Sequence, residues 1–493
     1  MINRILSILT ILLLGLTQHA LAQGTFDALR YSSFDVSGTA RSLGVGGGLG
    51  ALGADFSVLG TNPAGLGMYR RSEFVLTPGF VLTNTESRLL NDSDRRTAEE
   101  NKGNFNLGSL GVVVASKPRS SSWSTFNFGF GFNRIANFNR KFFFEGTSTG
   151  SIVDRFQELA NFDGTLDDFE SGVAFDAFAL YDEDPVDGFY ETDFELDTSA
   201  LIKRQQFVET SGGITELVIS LGGNYDEKFI IGATIGVPFI SLTEEKEYQE
   251  IDEGTGPDGN VPFFDDLTYN EELTTTGIGI NFKMGMIYRI NQMFRVGLAA
   301  HTPTGFRLED SFKTSMEYNF TVTDPQSGFA QSPDGLFDYR LRTPWRLIGS
   351  FGMIIGKSGF ITAEVEQVNY GKNSFGFDSF VDEEREANDG IKADLESALN
   401  IRLGGEFRYD VFRFRAGLNL LQSPLKGDDS TNNSISAGIG IREQKFFIDL
   451  GYKRYNVQET YVPYLLSNPS RQQFVNNDIG TNQFVLTFGF KFR

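Results

Sequence analysis

Eight cations, Lys283, Arg295, Arg346, Arg402, Arg413, Arg415, Lys453 and Lys491, and five acids, Glu216, Glu364, Glu366, Glu406 and Asp449, fall on the polar phase of segments that alternate polar and apolar residues. Cations beside an apolar conduit can meet the head group of an amphipathic acid, because burying a carboxylate without a partner costs several kcal/mol. Lys283 and Arg402, placed near the middle of their segments, are the first head-group candidates, with Arg346 and Arg415 beside them, whereas Arg408 and Arg413 flank a tight turn. The same cations can instead pair with the five acids and grip whatever fills the interior.

Other chemistry is closed off by residue type. The chain has no Cys, which removes disulfides, thiolate zinc sites and cysteine nucleophiles. Of two histidines, His19 lies in a predicted leader, so His301, beside Thr302-Pro303-Thr304, is the one imidazole left for a hydrolase or for an axial haem ligand. Neither enzymatic activity nor a cofactor is expected. Nine glycines crowd residues 44 to 67, but no Gly-Lys-Ser/Thr ending and no parallel-sheet context accompany them, so they do not form a phosphate loop. They read instead as compact backbone that packs close to surrounding walls. A net charge of −21 disfavours nucleic acid, whose binding needs a basic surface that releases counterions.

These residues need elements to position them, and period two supplies the pattern. Residues 1 to 22 read as a secretory signal: Arg4, an apolar stretch from Ile5 to Leu16, and Ala20-Leu21-Ala22 before the cut. No later stretch approaches roughly 18 uninterrupted apolar residues, so spanning helices are excluded. Phe484, Leu486, Phe488, Phe490 and Phe492 share one face, opposite Gln483, Thr487, Gly489 and Lys491. Phe126, Phe128, Phe130 and Phe132 alternate with Asn127, Gly129, Gly131 and Asn133, and Phe412, Phe414, Ala416 and Leu418 alternate with Arg413, Arg415, Gly417 and Asn419. Long strands with one greasy face and one face of glycine and charge fit lipid outside and a polar lumen inside.

Fourteen such strands can be placed between residues 73 and 493, and the region 293 to 323 is readable as one bent strand or as two around Pro303. Connections after even-numbered strands are short (224 to 227, 357, 410). Those after odd-numbered strands are long, and three segments (138 to 205, 250 to 266 and 378 to 397) together carry a charge of −23. Short turns on one rim and long loops on the other predict a fourteen-stranded antiparallel transmembrane β-barrel of a Gram-negative outer membrane, its long acidic loops facing outward toward lipopolysaccharide. Ile152, Phe156 and Leu159 have helical spacing after Ser151 and, with Phe169, Phe175 and Phe178, predict an apolar shelf outside the membrane. The expected organisation is a leader (1 to 22), an N-terminal segment (23 to 72) and a barrel (73 to 493) that acts as a monomer.

The leader, the glycine-rich segment carrying Asn62-Pro63-Ala64 and the fourteen strands together resemble the FadL-like family of outer-membrane transporters for long-chain fatty acids and aromatic hydrocarbons. Gly38-Thr39-Ala40-Arg41-Ser42 through Asn62-Pro63-Ala64-Gly65 is similar to versions common in Bacteroidetes-type bacteria. The usual terminal Phe is followed here by Arg493. The resemblance implies that the N-terminal segment is a hatch plugging the lumen, with Asn62, Pro63 and Ala64 in it. It also implies that hydrophobic ligands, most plausibly fatty acids, are captured among external loops and leave sideways through a kink in the third strand. Gly129 and Gly131 would let that strand bend. A partner role in type IX-like protein secretion and uptake of haem are the alternatives.

Overall fold

The computed structural model describes residues 24–492 apart from 93–94, 120–121, 184–187, 255–258 and 322–326. The predicted leader and Arg493 therefore lie outside the described residues. Barrel strands follow in chain order: β1 (Ser72–Leu89), β2 (Ala98–Ser116), β3 (Trp123–Asn137 and Arg140–Ser148), β4 (Ile202–Tyr225), β5 (Phe229–Ile251) and β6 (Phe264–Arg289). Then come β7 (Phe294–His301 and Gly305–Phe320), β8 (Ser327–Gln331, Gly335–Arg342 and Arg346–Ile355) and β9 (Gly359–Asn369 and Ser374–Phe377). β10 (Ser397–Tyr409), β11 (Phe412–Gln422), β12 (Thr431–Arg442), β13 (Phe446–Tyr461) and β14 (Val475–Phe492) complete the circuit. Each strand pairs antiparallel with its neighbours, and β14 closes on β1 from Ser72 opposite Phe492 to Leu89 opposite Val475. Closure leaves no free sheet edge around most of the ring.

The break at Pro303 does not change the strand count. Both pieces of β7 pair with β6, so they occupy one barrel position. Proline has no N–H for the ladder, and the interruption is stitched across to β8 by Thr343 N donating to Thr304 O (3.0 Å) and Thr304 N donating to Thr343 Oγ1 (2.9 Å).

Alternation sorts side chains as expected for such a wall. Along β6 the outward series Tyr288, Met286, Met284, Phe282, Ile280 and Ile278 is exposed throughout. Ten residues at about 3.3 Å rise and about 40° tilt make an apolar band about 25 Å tall, the height of a bilayer's hydrocarbon. The inward series carries Asn281 and Lys283, both buried.

Two boundaries move relative to the sequence reading. β3 resumes after a break and runs to Ser148, because Lys141, Phe142, Phe143, Phe144 and Glu145 continue an alternating pattern against β4. The long loop thus begins near residue 149 rather than 138. β14 starts at Val475, seven residues before the expected position, where Asn476, Asn477 and Asp478 pair with the end of β1.

Candidate functional site

Residues 24 to 71 fold inside the ring. Helix α1 (Thr25–Ser32), helix α2 (Ala40–Gly44) and 3-10 turns at Phe56–Gly60 and Pro63–Met68 account for half of this plug. Their glycine density serves close approach. The Asn62 side chain caps the second turn by accepting from Ala64 N (3.2 Å), donates to Gly50 O (2.7 Å), and presses on β6 where a Cβ at Gly285 would lie 1.9 Å from Asn62 Oδ1. Pro63 sits against Gly232 in the same way, with its carbonyl 2.3 Å from where a Cβ would be. The Asn62-Pro63-Ala64 motif is therefore a knob held in a notch of wall glycines. Phe56, Leu59 and Leu66 join Val75, Val113 and Val218 of the wall in one buried cluster.

The inward cations are tied up beneath and around this plug. Lys283 pairs with Glu216, and His301 on the next strand holds its Nε2 2.6 Å from the plug carbonyl of Thr61. Arg402 bonds Glu364 (2.8 Å) and Glu366, while Arg346 bonds Glu366 (2.8 Å) and the carbonyl of Ser32. Glu364 in turn accepts from Gly50 N (3.2 Å). Arg415 reaches Glu406 (2.7 Å) and Asp449 (2.8 Å), and Arg41 of the plug reaches the same Glu406 (3.6 Å). Of these four cations, Arg346 bonds the plug directly and Arg402 and Arg415 reach it through Glu364 and Glu406, while Lys283 is paired with Glu216 of the wall. The one imidazole among the described residues, His301, is likewise engaged with the plug.

A second charged layer lies nearer the long loops, and sequence reasoning missed it. Arg30 of α1 pairs with Asp27 (3.3 Å) and Glu244 (3.4 Å); Lys246 pairs with Glu271 (3.4 Å) and Glu244 (3.7 Å). Lys141 meets Glu100 (2.6 Å), Lys102 meets Glu209 (2.8 Å), and Arg140 meets Glu459 (Nη2 to Oε1 3.3 Å). Unlike the lower set, these cations remain partly accessible, with side chains 13 to 27% exposed. They lie between two buried apolar clusters. The inner one joins Tyr31, Ile214, Ile240, Phe306, Tyr339, Phe375 and other residues around α1. The outer one is the predicted shelf: Ile152, Phe156 and Val173 of helices α3 (Val153–Asp163) and α4 (Ser171–Asp176) pack on Tyr248, Phe264, Tyr269 and Tyr318 at the strand ends. It is a folded cap more than an open shelf, since Ile152 and Phe156 are buried while Phe178 remains exposed.

Among the described residues the ring is interrupted between β2 and β3. β3 pairs with β2 only from Ser109 opposite Asn133 to Ser116 opposite Phe126, although β2 extends back to Ala98. Beyond Asn133 the strand turns inward. Asn139 O accepts from Thr83 Oγ1 of β1 (3.2 Å), and Arg140 reaches Glu459 of β13, so the second piece of β3 passes inside the mouth. The bend closes around one carbonyl: Gly212 O accepts from Phe138 N (3.2 Å), Arg134 Nη2 (2.5 Å) and Asn139 Nδ2 (3.0 Å). Gly212 has φ +114°, and a Cβ there would lie 2.0 Å from Ser241 O, so only glycine fits. The carbonyls of Arg134 and Ile135 take donors from the plug instead: Ser37 Oγ donates to the first and Asp35 N to the second (2.9 Å). A backbone group left unpaired inside a wall costs free energy, so the plug completes what the missing ladder would have supplied.

Gly129 and Gly131 therefore do not make the bend. They lie in the part of β3 that stays paired, facing the lumen, where Leu59 and Phe56 occupy the space their side chains would need (2.6 and 2.7 Å from where a Cβ would stand). The usable signals were Ser211-Gly212-Gly213 inside a long strand and Asn137-Phe138-Asn139 interrupting the phenylalanine alternation.

Known structures share this arrangement of strands. The fold is similar to that of the P. putida toluene transporter TodX (TM-score 0.53, 13% identity, 93% of this chain and 100% of that one). A Pseudomonas aeruginosa FadL homologue (TM-score 0.55, 13% identity, 93% and 100%) and the Ralstonia pickettii toluene transporter TbuX (0.52, 13%, 93% and 99%) are similar to the same extent. At these identities the likeness is one of fold. No protein-family model and no curated protein matches the sequence.

Proposed function

We propose that the protein is an outer-membrane channel for hydrophobic or amphipathic small molecules. The ligand enters at the apolar cap, crosses the charged layer to the inner apolar cluster, and leaves sideways through the opening between β2 and β3. The observation that carries this reading is that opening. A general aqueous pore would not interrupt its wall and then bond the exposed carbonyls to a plug. Ile135, Ala136 and Phe138 border the gap and belong to the inner apolar cluster, so the opening adjoins that cluster. The outward residues of β2 there include Phe105, 85% exposed, and Leu107. Related folds include proteins described as toluene transporters, which supports an apolar cargo.

Long-chain fatty acids are the favoured cargo. A carboxylate crossing between the two apolar clusters meets Arg30, Lys102, Arg140, Lys141 and Lys246, which are partly accessible and each already matched to a carboxylate that a ligand's own could replace. Below that path Arg346 bonds the plug directly, Arg402 and Arg415 hold it through Glu364 and Glu406, and Lys283 is neutralised by Glu216. Labelled oleate and labelled toluene are the probes, in cells carrying the protein, its deletion, or Ala136→Trp, which places a large ring in the opening. Deletion and Ala136→Trp should both abolish uptake. Unchanged uptake of both probes in the deletion, with loss of surface-protein export, replaces this reading with the secretion-partner role.

A further inference from the structure

We infer that the outer wall over β7, β8 and β9 holds one phosphorylated lipid of the outer leaflet, head group against an arginine rung and acyl chains in the hollow below it. Arg307 and Arg340 stand directly opposite each other on adjacent strands, both exposed, and Arg342 is the diagonal neighbour on the same face. Like charges facing across a ladder destabilise the pair unless an anion sits between them. Arg340 has one exposed partner, Asp378 (2.6 Å), with side chains 61 and 78% exposed, a contact of little strength in water. Among the described residues Arg307 and Arg342 form no ion pair. The rung above opposes Glu309 to Asp338, and neither carboxylate comes within ion-pair distance of the arginines. Three cations on the outside of a chain of net charge −21 stand out against their background.

The place on the wall fits a lipid. The arginines line a hollow of about 600 Å³ at the interruptions of β7 and β8, together with Pro303 and the half-exposed ring of Trp345. Tryptophan favours the boundary between hydrocarbon and head groups. Below them Ala300 and Leu347 face each other and border a second hollow of about 930 Å³, which runs along the wall from β3 to β10 and includes Leu298, Met284, Val365 and other exposed apolar side chains. Gly349 helps to make it: a Cβ there would find one atom within 4 Å, Leu298 Cδ2 at 3.9 Å. Guanidinium pairs bind phosphate oxygens in bidentate fashion. The wall thus offers a phosphate-binding rung and an acyl-sized hollow in the order in which a membrane lipid presents them.

This inference rests on the barrel lying in an outer membrane with its long loops outward. The test is native mass spectrometry of the protein extracted from its membrane, then of delipidated protein given lipid A, dephosphorylated lipid A, or inorganic phosphate. The wild type should retain one phosphorylated lipid. The variant Arg307→Gln/Arg340→Gln/Arg342→Gln and, independently, Gly349→Phe should each lower occupancy at least ten-fold, while Arg454→Gln, an exposed outward arginine on β13, leaves it unchanged. Equal binding of dephosphorylated lipid A, equal occupancy in both variants, or displacement of the lipid by millimolar inorganic phosphate overturns it. Membrane fractionation and heat-modifiable mobility of each variant separate failure of this site from failure of the barrel to fold or insert.

Discussion

Asn62 and Gly285 fit as knob and socket: the plug's amide oxygen lies where a Cβ of the wall strand would be, 1.9 Å away. Gly285→Leu should therefore expel the plug while leaving the ladder of β6 intact. In planar bilayers the wild type should be closed to ions and Gly285→Leu should conduct, and Asn62→Gly in the same chain should restore much of the closure. A closed Gly285→Leu barrel would show that the plug is not seated through this contact.

Arg402 is bonded to two buried glutamates, and removing it strands Glu364, while Glu366 keeps Arg346. Arg402→Met should destabilise the barrel by about 3–5 kcal/mol, since breaking a buried pair costs more than replacing it whole. Arg402→Met/Glu364→Gln, which leaves the Arg346–Glu366 pair in place, should recover most of that loss. The midpoint of heat-induced mobility shift on gels measures the order.

The bend of β3 depends on Gly212, whose φ of +114° and proximity to Ser241 O exclude a side chain. Gly212→Val should straighten β3 toward β2, close the opening and reduce uptake of oleate by at least ten-fold with surface expression kept. Gly129→Ala, by contrast, should disturb the packing of Leu59 and leave the bend in place.

Acid should loosen the outer cap at one identifiable point. Burial of Asp167 favours its neutral form, but donors from Ser171 Oγ (2.6 Å), Ser171 N (2.9 Å), Glu170 N (2.6 Å) and Phe169 N (2.8 Å) outweigh it and hold the carboxyl below its ordinary 3.8. A depressed native pKa means that the stabilisation is fully present above the unfolded value, near 4, and is lost as pH falls through the lower native one. Hydrogen exchange at the Glu170 and Ser171 amides, corrected for intrinsic rate, should be flat from pH 7 to 5 and rise below about pH 4. Asp167→Asn should show the faster exchange at every pH.

The chain's lack of cysteine makes orientation directly testable. Asp389→Cys, on helix α5 (Val381–Asp394) with its side chain 62% exposed, should react with a membrane-impermeant thiol reagent on intact cells. Asp226→Cys, in the short turn between β4 and β5, should react only after the outer membrane is opened. The reverse pattern would invert the barrel.

Strand number, closure and the division into short and long connections were legible in the sequence because period two is a local property. Each strand such as Gln483 to Phe492 announces its two faces without reference to its neighbours. The glycine-rich segment announced close packing, again from residue type alone. Pairing choices were not legible. Lys283, Arg346, Arg402 and Arg415 stood on the right face, yet their partners come from adjacent strands and from a plug hundreds of residues away, as with Arg346 and Ser32. Gly129 and Gly131 looked like hinge residues, whereas the bend formed further along β3, where Gly212 of a different strand offered one carbonyl to three donors. Local chemistry determines which way a side chain faces; which groups meet is decided by the register and curvature of the closed ring, and no single strand encodes those.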